Sequence, residues 1–400
     1  MLNEAPLILI LVGLAAYAVL AGADFGAGIW ILLSSSNDGK LRSHARHAMG
    51  PVWEANHVWL IFVFVVCWTA YPEAFASIAS TLAVPLGVAA IGIILRGSAY
   101  ALRAQSESGA VGTRIERVLG VASILTPFAL GAAAGAIASG RVPVGNASGD
   151  LLRSWFSPTG VAVGALSVAT SSYLAAVFLT ADAQRSGEGE LTRAFRRRAL
   201  LSGVVAGALA LVALLVVHDD ASTIWRGLSG GWGLVALLAS VTAGLSTLLL
   251  VHAHRYAAAR FAAAVAVAAV IAGWGIAQSP NLLPGLSVDE AAAGRATLQA
   301  LLLAVGGGAL VLLPSLGLLF RLTLSGRFDP DEPGEGASAS VPPTPSQPPA
   351  RIVLTVACLT VGAVLTVLLD STLGLALGVV SLLAFIVLAF PGLATAPEPE

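Results

Sequence analysis

The chain has 400 residues, of which 57% are hydrophobic and only 11% are charged, about half the charged share of an average soluble domain. This composition excludes a water-soluble surface, and the net charge of -1, without a basic patch, gives no reason to expect nucleic acid as a partner. Cys67 and Cys358 each stand alone in an apolar segment, so the cysteines predict no disulfide framework, iron–sulfur centre or c-type haem attachment.

Apolar runs of about twenty residues recur along the chain, and each can cross a hydrocarbon core about 30 Å thick as a helix. Strands of alternating polarity are absent, so helices must satisfy the backbone in lipid, and we predict an all-α polytopic membrane protein. No Lys or Arg precedes the first run, which is also too long for a signal-peptide core, so we expect it to be retained. The predicted spans, eleven in all, cover residues 6–33, 51–70, 76–97, 118–138, 158–181, 199–218, 232–253, 258–278, 297–320, 352–369 and 373–391.

Positive charge is unevenly distributed over the segments that connect these spans. With the N-terminus placed outside, seventeen of the 21 Lys and Arg residues fall in inside segments, and four fall outside, namely Arg141, Arg153, Arg226 and Arg295. Because Lys and Arg concentrate on the cytoplasmic side of membrane proteins, this split predicts an N-out, C-in topology.

One segment between the spans differs in composition from the rest of the chain. Residues 325–350 are rich in Pro, Ser, Gly, Asp and Glu and cannot bury enough apolar surface to fold, so we predict a disordered cytoplasmic linker. The chain therefore divides into a nine-helix body over 1–324, this linker, and a two-helix C-terminal appendage with an acidic tail over 351–400.

Three consecutive spans carry ionisable residues in the same half of the membrane. Asp24 lies nine residues before residue 33, roughly 14 Å along the helix axis. Glu54 and His57 lie one turn apart on one face of the second span, and Arg96 is expected to close the third. Because an ionisable side chain within the bilayer costs several kcal/mol, we expect Arg96 to pair with Asp24 or with Glu54.

Two interpretations of this charged cluster remain open. The first is a buried salt bridge that orients three helices and has no other role, which is the favoured interpretation for Arg96 taken alone. The second is a proton relay, which is favoured for Asp24 and Glu54 because carboxylates at this depth are usual components of proton paths.

Small residues suggest where helices approach closely. Gly22 and Gly26 flank Asp24 with the small-xxx-small spacing, and Gly131 and Gly135 repeat that spacing. Both pairs predict helix packing. A phosphate-binding loop is excluded because neither pair follows a soluble strand or carries a Lys.

The histidines predict no haem or metal bound by this chain itself. Glu54 and His57 make one Glu-x-x-His turn, whereas a di-iron carboxylate bundle needs a second such turn and two further glutamates. His44 and His47 fall in the first cytoplasmic loop, and His252 and His254 fall at the inner end of the seventh span. We expect all four to be solvated. An interfacial aromatic belt accounts for most of the Trp residues near the ends of the second span, with Trp53 beside Glu54 as the exception.

Six sequence motifs resemble those of a known family. They are Ala-Asp-Phe-Gly-Ala-Gly-Ile-Trp at 23–30, Gly-Pro-Val-Trp-Glu-Ala-Asn-His-Val-Trp-Leu at 50–60, Tyr-Pro-Glu-Ala-Phe at 71–75, Leu-Arg-Gly-Ser-Ala-Tyr at 95–100, Ser-Tyr-Leu at 172–174 and Gly-Trp-Gly-Ile-Ala-Gln-Ser-Pro-Asn-Leu-Leu-Pro at 273–284. In order and spacing they resemble subunit II of the cytochrome bd quinol oxidases, and the resemblance covers roughly residues 6–322.

The resemblance implies a non-haem-binding subunit of a quinol:oxygen oxidoreductase of aerobic electron transport in the bacterial plasma membrane. It implies a fold of two four-helix bundles plus one peripheral helix, to which the two C-terminal spans are added. Its partner would be subunit I, which holds haems b and d and the quinol site and reduces oxygen to water, and some members add a small single-helix subunit. Some members also hold a structural quinone or lipid in subunit II, but no residue of this sequence indicates such a site.

The family pattern also implies roles for individual residues. Glu54 would line a cytoplasmic proton path, with Asp24, His57 and Arg96 close by. The further motif residues are Gly22, Gly26, Trp53, Asn56, Trp59, Arg103, Trp274 and Gln278. Two departures stand out, since Glu54 replaces the commoner Asp, and Ala101 and its neighbours lack the acidic residue that members commonly carry there.

The main alternative is a proton- or ion-coupled secondary transporter that uses Asp24 and Glu54 at broken helices. Against it, the two halves of the chain show no matching pair of charged, Gly/Pro-interrupted segments. An enzyme acting alone is disfavoured because no nucleophile–base pair or metal cluster is evident.

Overall fold

The computed structural model describes residues 2–34, 38–49, 53–103, 110–324, 349–368 and 371–389. The chain forms two compact units, Met1–Gly317 and Leu318–Glu400. Its helices are α1 (Ala5–Leu33), α2 (Gly39–Met49), α3 (Trp53–Ala70), α4 (Pro72–Thr81), α5 (Ala83–Arg103), α6 (Ala110–Ala138), α7 (Pro158–Arg185), α8 (Gly189–Asp220), α9 (Ser222–Leu228), α10 (Gly231–His252), α11 (Tyr256–Gln278), α12 (Val288–Ala291), α13 (Arg295–Leu324), α14 (Pro349–Leu368) and α15 (Thr372–Ala389). Residues 325–348 of the predicted linker and the acidic tail from 390 onward lie outside the described residues.

The prediction of an all-helical, multi-pass membrane protein is confirmed. Among the described residues, eight helices are long and apolar enough to cross a membrane, and three shorter apolar helices cover Asn56–Ala70, Val353–Gly362 and Ala376–Phe385. These eleven segments overlap the eleven predicted spans. Eight of them meet the length and polarity of a span, so the count of eleven crossings stays a prediction, as do the N-out topology and the bundle arrangement.

The span predicted at 76–97 is instead part of two helices, α4 and α5, which meet at Leu82. Pro85 explains the break, because it has no N–H to donate to the carbonyl of Thr81 one turn earlier. Helix α5 then continues to Arg103, so the expectation that Arg96 closes its helix was wrong. Arg96 lies two turns inside α5 and is fully buried.

Helix α2 occupies a segment that was expected to be a loop. Its Leu41 and Ala45, one turn apart, are buried, whereas Lys40 and His47 are exposed. Helix α2 is therefore amphipathic, with one apolar and one basic face. With 11 residues it is too short and too polar to be predicted as a membrane span.

A small hairpin interrupts the all-α pattern after α11. Strands β1 (Asn281–Leu283) and β2 (Leu286–Ser287) pair antiparallel, and the turn between them uses Gly285 at φ +77°, which Gly adopts at low cost. Ser287 then caps α12 and forms a capping box with Glu290. The backbone N–H of Ser287 holds the pKa of the Glu290 carboxyl below its usual value.

Helix α1 lies in the core of the first unit, where it packs against α3, α6, α7 and α11. At Gly26 a Cβ atom would lie 1.9 Å from the carbonyl oxygen of Ser171 on α7, so only glycine permits this approach. At Gly135 a Cβ would lie 2.8 Å from the Cα atom of Gly160. In the second unit α14 packs on α15, with Arg351 Nε 3.2 Å from the carbonyl oxygen of Leu388.

Candidate functional site

A buried ion pair joins α1 to α5. Arg96 Nη2 lies 2.6 Å from Asp24 Oδ2, and neither side chain is exposed. The same nitrogen also lies 3.4 Å from the backbone carbonyl oxygen of Asp24, and Nη1 donates to Ser123 Oγ on α6. The two charges therefore neutralise each other, and the guanidinium has further acceptors from the backbone and from a third helix.

Aromatic rings enclose the pair. The guanidinium carbon of Arg96 lies 4.8 Å from the ring centroid of Phe25 and 5.8 Å from that of Tyr100, which are cation–π distances. The hydroxyl of Tyr100 donates to Asp24 Oδ1 over 3.1 Å. Each carboxylate oxygen of Asp24 thus has its own partner, Arg96 for one and Tyr100 for the other.

The beginning of α3 lies against the same region of α1. The hydroxyl of Tyr17 lies 3.4 Å from His57 Nδ1, and the ring centroids of Phe25 and His57 are 6.0 Å apart. Asn56 Nδ2 donates to the carbonyl oxygen of Leu20 over 3.3 Å. Helix α3 therefore places His57 against Phe25, the ring that also contacts the guanidinium of Arg96.

Three of the predicted site residues have side chains outside the described part of the structure. Trp53 and Glu54 open α3, and Arg103 ends α5. The predicted nearness of Glu54 to Asp24 therefore stays a prediction.

The remaining motif residues lie elsewhere. Trp59 packs edge-on against Phe62, with ring centroids 6.3 Å apart. Trp274 packs beside the apolar cluster that includes Val217 and Ile224, and Gln278 Nε2 donates to the carbonyl oxygen of Leu282 over 3.4 Å. Gly22 and Gly26 face α7. None of these contacts involves Asp24 or Arg96.

A second charged cluster was not predicted from the sequence. Glu116 near the start of α6 is 7% exposed, and its carboxylate pairs with two arginines of α2, Arg46 and, at 3.2 Å, Arg42. His44 of α2 lies 3.5 Å from Asp182 on α7, with its side chain only 9% exposed. The expectation that His44 is solvated was wrong, because α2 is a packed helix and not a loop.

Sequence reasoning also missed Tyr100 and Ser123 at the ion pair. The spacing of Arg96 and Tyr100, four residues apart on one helix, was a usable signal because such residues share a face. In the described part of the chain, no three or more His, Cys, Asp or Glu residues are grouped so as to hold a metal ion. The expectation that this chain binds no haem or metal stays a prediction.

Comparison with known proteins identifies the family. A family profile described as cytochrome bd terminal oxidase subunit II matches residues 2–323, well over half of the chain. The chain belongs to this family. It is therefore a subunit of a bd-type quinol oxidase, an oxidoreductase complex of the bacterial membrane, and the interpretation as a secondary transporter is set aside.

Individual relatives agree with this assignment. A putative cytochrome bd menaquinol oxidase subunit II of Bacillus subtilis (strain 168) is 20% identical over 238 residues, which are 58% of this chain and 68% of the relative. A cytochrome bd ubiquinol oxidase subunit 2 of the same organism is 27% identical over 130 residues, 32% of this chain and 38% of the relative. The solved bd oxidase from Geobacillus thermodenitrificans superimposes with a TM-score of 0.66 at 26% identity, covering 81% of this chain and 99% of the matched chain.

Proposed function

We propose that this subunit II stabilises the haem-bearing subunit I and conducts protons from the cytoplasmic side to it, where oxygen is reduced to water at the expense of quinol. The observation that carries this proposal is the fully buried Asp24–Arg96 pair with its attached hydroxyls. The haems b and d and the quinol site are assigned to subunit I on the family resemblance.

Energetics favours a functional role for the pair over a purely structural one. Replacing a buried ion pair by well-packed apolar residues is often neutral or stabilising, so helix orientation alone does not require these charges. The pair also has neighbours able to exchange protons. Tyr100 contacts Asp24 directly. His57 contacts Tyr17, and the rings of both pack against Phe25. Ionisable groups in contact at this depth are typical of proton relays.

The proposed topology gives the path its direction. With the N-terminus outside and the C-terminus inside, Asp24, Arg96 and Glu54 all lie in the cytoplasmic half of their helices. Glu54 would then stand nearest the cytoplasm and Asp24 deeper. We further propose that the body over 1–324 forms the two four-helix bundles and the peripheral helix of the family, and that the linker and appendage are additions to it.

Substitution of Glu54 by Gln in the purified complex tests the proton path. We expect turnover per haem to fall more than the haem content does, because Gln keeps the shape of the side chain and cannot carry a proton. Oxygen consumption with quinol gives the turnover, and the reduced-minus-oxidised spectrum gives the haem content.

Glu190→Gln is the matched control, because Glu190 is an exposed glutamate in the first turn of α8 and its loss should change neither quantity. An equal fall of turnover and haem content in Glu54→Gln would leave the residue only a structural role. Haem absorbance in a preparation of this chain that lacks a second polytopic subunit would contradict the assignment of haem to a partner.

A further inference from the structure

We propose that the hydroxyl of Tyr100 is the proton relay between the cytoplasmic side and Asp24, an inference that rests on the proton path proposed above. Tyr100 Oη donates to Asp24 Oδ1 over 3.1 Å. Tyr100 is only partly buried, whereas Asp24 is completely buried. Tyr100 therefore extends the contacts of the buried Asp24 carboxylate one turn further towards the end of α5.

The geometry at Asp24 leaves one oxygen for protonation. Oδ2 faces the Arg96 guanidinium at 2.6 Å, so this oxygen is already occupied by a cationic donor. Oδ1 is the other oxygen, and Tyr100 already donates to it. A proton that reaches Asp24 through this contact therefore arrives at Oδ1, and the contact between Oδ2 and Arg96 is left in place.

The position of Tyr100 along its helix also fits a relay. It follows Arg96 by one turn towards the end of α5 at Arg103, which is the cytoplasmic end in the proposed topology. Its ring packs in an apolar cluster with Leu41 and Ala45 of α2 and Leu119 of α6. The residues between Arg96 and Arg103 include no acid, so a carboxylate on this stretch of α5 cannot serve instead.

A phenol hydroxyl can pass a proton without becoming charged, because it donates one hydrogen bond and accepts others. In the relay step the O–H bond of Tyr100 breaks as its proton moves to Asp24 Oδ1. A new O–H bond forms as the same oxygen takes a proton from water on the cytoplasmic side. The hydroxyl is neutral before and after, Asp24 becomes neutral, and the water is left as hydroxide until it is reprotonated from bulk.

Arg96 has a positioning role in this scheme. It holds Oδ2 and the backbone carbonyl of Asp24 and is itself held by Ser123. Oδ1 is thereby kept towards Tyr100.

The test is Tyr100→Phe in the intact oxidase complex, which removes one oxygen atom and keeps the ring. A positioned proton-transfer group contributes about 10²–10⁴-fold, and water can replace part of it, so we expect turnover per haem to fall at least about tenfold. Haem content should stay near the wild-type value. The solvent isotope effect on turnover in D₂O should rise, because proton delivery becomes rate-limiting, and a merely structural hydroxyl would not change it.

Tyr256→Phe is the matched control. Tyr256 opens α11, its side chain is 2% exposed, and its hydroxyl is 2.7 Å from His254 Nδ1. Like Tyr100→Phe, the control removes a tyrosine hydroxyl together with its hydrogen bond. It does so at the same proposed side of the membrane. Turnover and isotope effect should be those of the wild type.

The outcomes separate this inference from the proposed function. If Glu54→Gln slows turnover while Tyr100→Phe retains both turnover and isotope effect, the Tyr100 relay is overturned and the proton path stands. If neither variant changes turnover per haem, the proton path fails as well. If Tyr100→Phe lowers only the yield of complex, with normal turnover per remaining haem, Tyr100 is structural and the relay is also overturned.

Discussion

At the scale of single residues, the Asp24–Arg96 pair is the most demanding feature of the molecule. Taking two charges out of water costs several kcal/mol per ion, and mutual attraction compensates only with good geometry. Here the geometry is supplied by the 2.6 Å contact, by Ser123 and by the ring of Phe25. A substitution that removes one charge therefore leaves the other permanently buried and uncompensated.

A double-mutant cycle tests this coupling. Asp24→Asn or Arg96→Gln alone should destabilise the subunit by roughly 3–5 kcal/mol, because one buried charge is left without its partner. The double variant should be more stable than either single variant. Thermal unfolding of the purified complex, followed by loss of the haem spectrum, measures the effect. Additive losses in the double variant would contradict the coupling.

Some residues of the site could be predicted from the sequence, and others could not. Asp24 and Arg96 were found because charges are rare in apolar segments, although the choice between Asp24 and Glu54 as the partner of Arg96 required coordinates. Tyr100 and Ser123 were missed because tyrosine and serine are common in membrane helices and carry no charge that marks them. Their role depends on which faces of α5 and α6 meet, which spacing along one chain does not determine.

At the scale of elements, ion pairs join α2 to α6. Arg42 and Arg46 both bind the largely buried Glu116 of α6, while Leu41 and Ala45 supply the apolar face. Hydropathy could not reveal this helix, because its apolar face has only a few residues. The signal that was available is the spacing of Leu41 and Ala45, one turn apart between basic residues.

Glu116→Gln should loosen α2, because one neutral amide replaces the carboxylate that two guanidinium groups share. Hydrogen–deuterium exchange of the segment 39–49 should become faster, and trypsin should cut more readily after Lys40 and Arg42. Glu190→Gln, which removes an exposed glutamate, serves as the control and should leave both rates unchanged. Unchanged protection of α2 in Glu116→Gln would show that apolar packing alone holds the helix.

At the scale of the whole molecule, the sequence predicted the fold class better than it predicted where each helix begins and ends. Long apolar runs are sufficient to predict a multi-pass helical protein, and this was confirmed. Helix ends were less predictable, since α6 begins at Ala110 and α8 at Gly189, about two to three turns before the predicted spans. Those extra turns are polar, and a hydropathy criterion detects only the part of a helix that lipid surrounds.

The family profile ends at residue 323, and residues 318–400 form a separate compact unit. Truncation after Leu324 should therefore leave an oxidase that assembles and turns over normally, because all helices of the family core are retained. Haem content and oxygen consumption of the truncated complex, relative to the full chain, measure this. Loss of the haem spectrum would show that α14 and α15 are needed for assembly.

The depth of Asp24, nine residues before the end of α1, has an electrical consequence. Because α1 has 29 residues, or about 43 Å, it extends beyond a hydrocarbon core of about 30 Å, and Asp24 lies at most roughly 14 Å inside that core. In the proposed topology, a proton that travels from the cytoplasm to Asp24 would therefore move through at most about half of the transmembrane voltage, equivalent to about 1 kcal/mol per 100 mV. On the proposed path, oxygen reduction would therefore move charge across part of the membrane, and the transmembrane voltage would enter the free energy of proton delivery.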